Sequence, residues 1–318
     1  MESIMGKSIA KRGLVGALVV AAASALTVVA AGQAAAVGTP TGFGAGTTGG
    51  GNASPVTVTS SSALISAMQS SGSAVIRVSG MISISGMQDV ASNKTLIGVG
   101  SGSGITGGGL DVDDADNVII QNLNFRGWSD DAINVQDGST KIWIDHNSFT
   151  DGYDGAVDIK RGSDYITVSW NRFFGHDKTM LLGHSDGNGG QDRGHLRVSY
   201  HHNWFDGTNQ RHPRVRFGDP VHVYNNYYDG VGDYGVASTV EAGVLVEGNY
   251  FENTDSPCEL GQGSSPAGDL VARNNHFVNS GACATQGSVN GIPYSYSLDP
   301  ASNVKSIVEN GAGTGKVA

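Results

Sequence analysis

Ile142-Trp-Ile-Asp-His-Asn-Ser-Phe149 has counterparts before and after it in the chain. They are Val118-Ile-Ile-Gln-Asn-Leu-Asn-Phe125, Ile166-Thr-Val-Ser-Trp-Asn-Arg-Phe173, Val198-Ser-Tyr-His-His-Asn-Trp-Phe205, Val221-His-Val-Tyr-Asn-Asn-Tyr-Tyr228, Val244-Leu-Val-Glu-Gly-Asn-Tyr-Phe251 and Val271-Ala-Arg-Asn-Asn-His-Phe277. Most copies share a short β-branched start followed by Asn-x-Phe or Asn-x-Tyr. Asn147, Asn171, Asn203, Asn226, Asn249 and Asn275 are spaced by 24, 32, 23, 23 and 26 residues, and Leu123 fills the slot 24 before Asn147. A period near 23 residues with one strand–turn–strand unit per repeat is the signature of a solenoid, in which each coil buries its apolar face only against the next. Further coils are expected around Val75–Ile84 and Thr95–Val99. The recurrent Asn suits a turn, where its amide can bond its copy in the next coil and its backbone tolerates a left-handed conformation. A leucine-rich repeat would need Leu at slots that hold Val, Ile and Phe. A β-sandwich would turn every 8–12 residues.

Outward from the repeats, the composition agrees with β structure: 48 of 318 residues are Gly and only 15% are charged. Residues 1–36 have the layout of a secretory signal peptide, with basic Lys7, Lys11 and Arg12, an apolar run from Leu14 to Ala31, and Ala34-Ala35-Ala36 as a cleavage site. No later stretch is long and apolar enough to span a bilayer. Residues 37–55 are rich in Gly, Thr and Ser and are expected to form a flexible mature terminus. Residues 56–318 then form one solenoid domain, with a helix near Val304–Glu309. Without residues 1–36 the net charge moves from −10 to −12, which argues against nucleic acid as a partner. In an oxidising compartment Cys258 and Cys283 pair, closing a loop worth about 3.5 kcal/mol; two buried thiols are the alternative.

Asp131 lies about one period before Asp154 and Asp158, so a solenoid stacks the three carboxylates. Three carboxylates together repel unless a cation sits among them, and an oxygen-only set suits Ca²⁺. Asp-Gly and Asp-x-x-Asp are also ordinary turn chemistry. Lys178, Arg211, Arg214 and Arg216 form a basic set at a similar offset, which alone could be a solvated loop and beside the acidic set suits a carboxylate ligand. Arg214 is expected on the opposite face to its neighbours. The spacing of 32 between Asn171 and Asn203 marks an excursion from Gly183 to Gly194, a Gly-rich loop of the kind that carries function. His201-His202 has the look of a zinc pair, but adjacent residues on a strand point apart.

Ile142–Phe149, Asp154–Lys160, Ser169–Gly183, Arg211–Gly218 with Val221–Asn226, and Lys94–Gly100 together resemble the pectate lyase superfamily, the first polysaccharide lyase family, over about residues 75–310. The resemblance implies a right-handed parallel β-helix that cleaves α-1,4-polygalacturonate by β-elimination to 4,5-unsaturated oligogalacturonides with Ca²⁺. It implies Asp131, Asp154 and Asp158 as calcium ligands, with Asp130 as a fourth. It implies Arg211 as the Brønsted base and Lys178, Arg216 and Lys160 as substrate-binding residues. A polygalacturonase would carry an Asp cluster with His and need no calcium. A pectin lyase would replace the calcium ligands with basic residues, and a structural β-helix would have no use for the basic set. The expected product of the gene is a secreted, monomeric enzyme acting on pectin polysaccharide, with no membrane partner.

Overall fold

The computed structural model describes residues 36 and 38–317, so the signal-peptide reading falls almost wholly outside the described residues. The described chain winds into a right-handed parallel β-helix with three sheets. A ten-stranded sheet runs from Val56–Val58 to Asp269–Arg273, and a nine-stranded sheet from Met81–Ser83 to His276–Val278. An eight-stranded sheet, which carries the site, runs from Met87–Asp89 to Cys258–Leu260. Every strand pairs in parallel with the copy one coil away, Ile142 with Val118 and Ile166, Phe149 with Phe125 and Phe173. At about 4.8 Å per strand, ten coils span roughly 43 Å.

The interior is a set of stacks. Phe125, Phe149, Phe173, Phe205, Tyr228, Phe251 and Phe277 lie ring upon ring with centroids 4.3–5.4 Å apart. Beside them runs the asparagine ladder. Asn147 donates through Nδ2 to Asn171 Oδ1 at 3.1 Å, Asn171 to Asn203 at 3.1 Å, Asn203 to Asn226 at 3.0 Å, Asn226 to Asn249 at 3.0 Å and Asn249 to Asn275 at 3.0 Å. The backbone N–H of each also donates to the next Oδ1, so one amide oxygen serves two donors. Leu123 ends the ladder, its N–H donating to Asn147 Oδ1. The left-handed residue is not the ladder Asn but the one before it: His146, Trp170, His202, Asn225 and Asn274 have φ between 51° and 55°. The turn bends first and the following Asn then faces inward, where its amide can stack.

Other expectations sort by the same physics. The helix at the C-terminus spans Ala301–Gly311 and lays Val304 and Val308 on Tyr227. A helix not foreseen, Ser61–Gln69, covers the first coil with Leu64 and Met68. Residues 38–55, expected as mobile, are instead tied along the ten-stranded sheet: Phe43 N–H donates to Ser199 Oγ, Gly44 N–H to Thr167 Oγ1, Gly49 N–H to Asn117 Oδ1 and Gly50 N–H to Thr95 Oγ1. Its small polar residues are what a close backbone approach to a sheet requires. Cys258 and Cys283 form a disulfide. His201 and His202 do meet, with Nδ1 atoms 2.9 Å apart, because the strand ends at His201 and His202 turns left-handed. Among the described residues, no helix is long and apolar enough to cross a membrane.

Four of the buried histidines share one direction of titration. Burial lowers the pKa of His201, His202 and His222, and brings His212 down to about 4. His212 Nδ1–H donates to the Tyr234 carbonyl while Nε2 accepts from Thr208 Oγ1, an arrangement that needs the neutral ring. Such groups bind protons in the unfolded chain near pH 6.5 but not in the folded one. Their stabilisation is complete above about pH 6.5 and is lost as pH falls toward the folded values. The drop in melting temperature between about pH 6.5 and pH 4.5 is therefore expected to be smaller in His212→Asn than in the wild type, and equal drops in thermal scans would refute this account.

Candidate active site

Asp131, Asp154 and Asp158 arise from adjacent coils of the eight-stranded sheet. Asp158 lies on Val157–Ile159, with Cα paired to Asn134 on one side and Leu181 on the other. Asp154 lies in the turn before that strand, its N–H donating to the Asp130 carbonyl, and Asp131 lies in the equivalent turn one coil earlier. Gly155 is required here: a Cβ at that position would come within 2.1 Å of Asp158 Oδ1. The Asp154 carbonyl is held by His176 Nε2 at 2.8 Å and by Trp128 Nε1 at 3.3 Å, while Trp128 and His176 pack edge to face. Neither residue was singled out from sequence, although each sits within three residues of one that was.

The basic side chains come from the next two coils. Lys178 forms a parallel bridge with Gln210, and Thr179 and Met180 N–H donate to the Gln210 and Arg211 carbonyls, so Arg211 lies on the next coil one residue beyond the partner of Lys178. Lys178 Nζ lies 3.1 Å and Arg211 Nη1 3.6 Å from Asp154 Oδ1. Lys160 Nζ lies 3.7 Å from Asp131 Oδ2. Arg211 takes the left-handed conformation at φ 65°, and its Nε is buried with no hydrogen-bond partner. The structure thus brings Asp131, Asp154, Asp158, Lys160, Lys178 and Arg211 together, with Asp130 exposed at the rim.

Arg216 is placed differently. It stands two residues along the strand Arg214–Arg216, bonded to Asp186 and the Gly183 carbonyl, away from the acidic set. Arg214 corrects an expectation. Val215 is fully buried in the core, so Arg214 and Arg216 both point outward and share a face; the alternation counts from the strand, and Arg211 lies before it.

Burial is the largest influence on both Asp158 and Asp131 and raises their pKa, with repulsion from neighbouring carboxylates adding to it and Lys160 opposing it. An enclosed pair of carboxyls held this way stays ionised only beside a cation. Asn134 Oδ1, next to Asp158 in the register, is buried with no partner, because its Nδ2 donates to Asp111 on the other side. Carboxylate and amide oxygens are the donors a hard divalent ion takes. Among the described residues, no three acidic or His side chains already converge as a ligand shell, since Asp154 faces Lys178 and Arg211. The donor chemistry of these oxygens fits Ca²⁺.

Comparison with known proteins agrees with this geometry. The pattern of the pectate lyase family matches residues 12–317. The pectate trisaccharide-lyase of Bacillus licheniformis is 39% identical over 294 residues, covering 86% of this chain and 84% of that protein. Pectate lyase A of Emericella nidulans is 40% identical over 279 residues, covering 84% and 83%. Among solved structures, a pectate lyase from Bacillus sp. N165 in complex with trigalacturonate superposes with a TM-score of 0.81 at 33% identity, covering 88% of this chain and all of that one.

Proposed function

The chain belongs to the pectate lyase family and is a polysaccharide lyase, and from that premise we propose that it cleaves de-esterified α-1,4-polygalacturonate by Ca²⁺-dependent β-elimination, leaving a 4,5-unsaturated uronide. The observation that carries this reading is the meeting of Asp154 with Lys178 and Arg211 at 3.1 and 3.6 Å, beside buried Asp131 and Asp158. A relative solved with trigalacturonate supports an oligogalacturonate as the ligand of this site.

The C5 proton of a uronate is a poor acid while its carboxylate carries a full negative charge. Lys178 donates to that carboxylate and withdraws charge from it as C5 loses its proton. Arg211 stands beside it and, having first released a proton to solvent, receives the C5 proton as a neutral guanidine. The C5–H electron pair becomes the C4–C5 double bond, and the C4–O bond breaks with its oxygen leaving on the neighbouring sugar, where it is protonated. Asp131, Asp154 and Asp158, with Asp130 at the rim, would hold Ca²⁺, whose chemistry is to bind the substrate carboxylate and lower the charge that opposes proton loss. Lys160 opposes the rise that burial imposes on Asp131 and so favours its ionised form. No water attacks the anomeric carbon, so the paired acid and base of a hydrolase are not needed.

The reading extends to location and assembly: a protein exported by residues 1–36, acting as a monomer outside the cell. The Cys258–Cys283 bridge supports an oxidising compartment. Mass spectrometry of protein recovered from culture medium is expected to find a chain beginning near Val37 with no free thiol, and a cell-retained chain that keeps residues 1–36 would refute export.

Lyase activity on polygalacturonate, followed by ultraviolet absorbance of the unsaturated product, is expected to vanish in excess EDTA and return with Ca²⁺ but not Mg²⁺, which demands a rigid octahedron. Full activity in chelator would overturn the metal assignment.

Arg211→Lys keeps the charge but shortens and rehydrates the proton acceptor. It is expected to lower kcat by about a hundredfold or more with KM little changed. A near-normal kcat would move the base elsewhere, with Lys178 the next candidate.

A further inference from the structure

The excursion from Gly183 to Gly194 sends one carboxylate back onto the strand Arg214–Arg216. Asp186 Oδ1 accepts from Arg216 Nε at 2.6 Å and from Ser265 Oγ at 2.8 Å. Arg216 Nη1 donates to the Gly183 carbonyl at 2.9 Å, and Nη2 reaches Ser265 Oγ at 3.4 Å. Ser265 is itself held by Arg214, whose Nη2 donates to Ser265 Oγ at 2.8 Å and to the Gln262 carbonyl at 3.1 Å. Gly183 makes the approach possible: it has φ 83°, and a Cβ there would lie 2.9 Å from Arg216 Cβ. Two loops, from two different coils, therefore close on one guanidinium.

The donor count shows what is left. A guanidinium has five N–H groups. One on Nε, one on Nη1 and one on Nη2 are taken, so two remain, one on each terminal nitrogen. Two N–H groups on the terminal nitrogens match the two oxygens of a carboxylate. The Arg216 side chain is only 10% exposed while Asp186 is 39% exposed, so the arginine is the enclosed member and the loop carboxylate its outer stay. Arg216 also holds Asp186 below the usual carboxylate range, which keeps the stay ionised.

We infer that Asp186 and Ser265 are positioning residues for substrate binding: they fix the rotation of the Arg216 guanidinium so that its two remaining N–H groups stand as one fork for a galacturonate carboxylate. This rests on the pectate reading. Neither residue touches the reacting atoms, and both act through Arg216. Their loss frees the guanidinium to rotate and weakens binding of an anionic sugar, while proton transfer at Arg211 continues.

The test is steady-state kinetics on polygalacturonate at saturating Ca²⁺ for the wild type, Asp186→Asn, Ser265→Ala, Ser265→Thr, Arg216→Lys and the Asp186→Asn/Arg216→Lys pair. Asp186→Asn is expected to raise KM by roughly tenfold, the scale of one charge-assisted hydrogen bond, with kcat and its pH profile retained. Ser265→Ala shifts KM in the same direction and Ser265→Thr, which keeps the hydroxyl, restores it. In the Arg216→Lys background, where no fork exists, Asp186→Asn has no further effect on KM. An unchanged KM in Asp186→Asn, or an equal loss with and without Arg216, overturns the inference. If Asp186→Asn does not fold, the Ser265 pair decides: Ser265→Ala and Ser265→Thr with the same KM would overturn it. A wild type inactive on polygalacturonate would overturn the pectate reading and this inference with it, whereas an active wild type with indifferent variants overturns this inference alone.

Discussion

Parallel, in-register stacking of one coil on the next is the constraint from which the rest of this structure follows. The asparagine ladder enforces it: each amide oxygen takes both the backbone and the side-chain donor of the neighbouring Asn. A slip of one residue would break both bonds at every coil and would turn the Phe stack out of the core. Fixed register is also what makes the site. Lys178 and Arg211 sit on neighbouring coils one residue out of line, and Asp131 beside Asp154 and Asp158, because the repeat places them there.

The fold reads easily from sequence because its determinants recur. Asn147 through Asn275, with an aromatic two residues later, announce the coil; the β-branched starts announce the strands. The grouping of Asp131, Asp154 and Asp158 was visible for the same reason, as a spacing near one period. What could not be read lacked periodicity. The partners of Asp186 are Arg216, 30 residues on, and Ser265, 79 residues on, and no spacing rule joins them. The outward face of Arg214 depends on where its strand begins, and Arg211 in a left-handed turn resets the alternation. The Gly- and Thr-rich segment 38–55 carries no apolar pattern because it binds through backbone N–H groups, which composition does not report. Identifying the chemistry itself needed the resemblance; the carboxylates alone were equally consistent with turns.

The site works against the scaffold that builds it. Stacking forces Asp158 and Asp131 into one enclosed space where burial and repulsion both favour the neutral form. Lys160 and Arg211 offset part of that cost, and Asn134 leaves an oxygen unpaired beside it. A core of stacked Phe and Asn is rigid enough to hold such an arrangement, whereas an isolated loop would relax it.

The two chain ends act as splints. A stack that bonds only to its neighbours can fray coil by coil from either end. Here residues 41–50 cross the strands that carry Ser199, Thr167, Asn117 and Thr95. The tail returns the other way, bonding Asp299 to Asn225, Gly313 to Trp170, Thr314 to Ser148 and Gly315 to Asn122. Each splint joins coils that do not touch one another, so opening any one coil also strains a brace anchored several coils away. Opening then becomes an event of the whole stack rather than of its last coil.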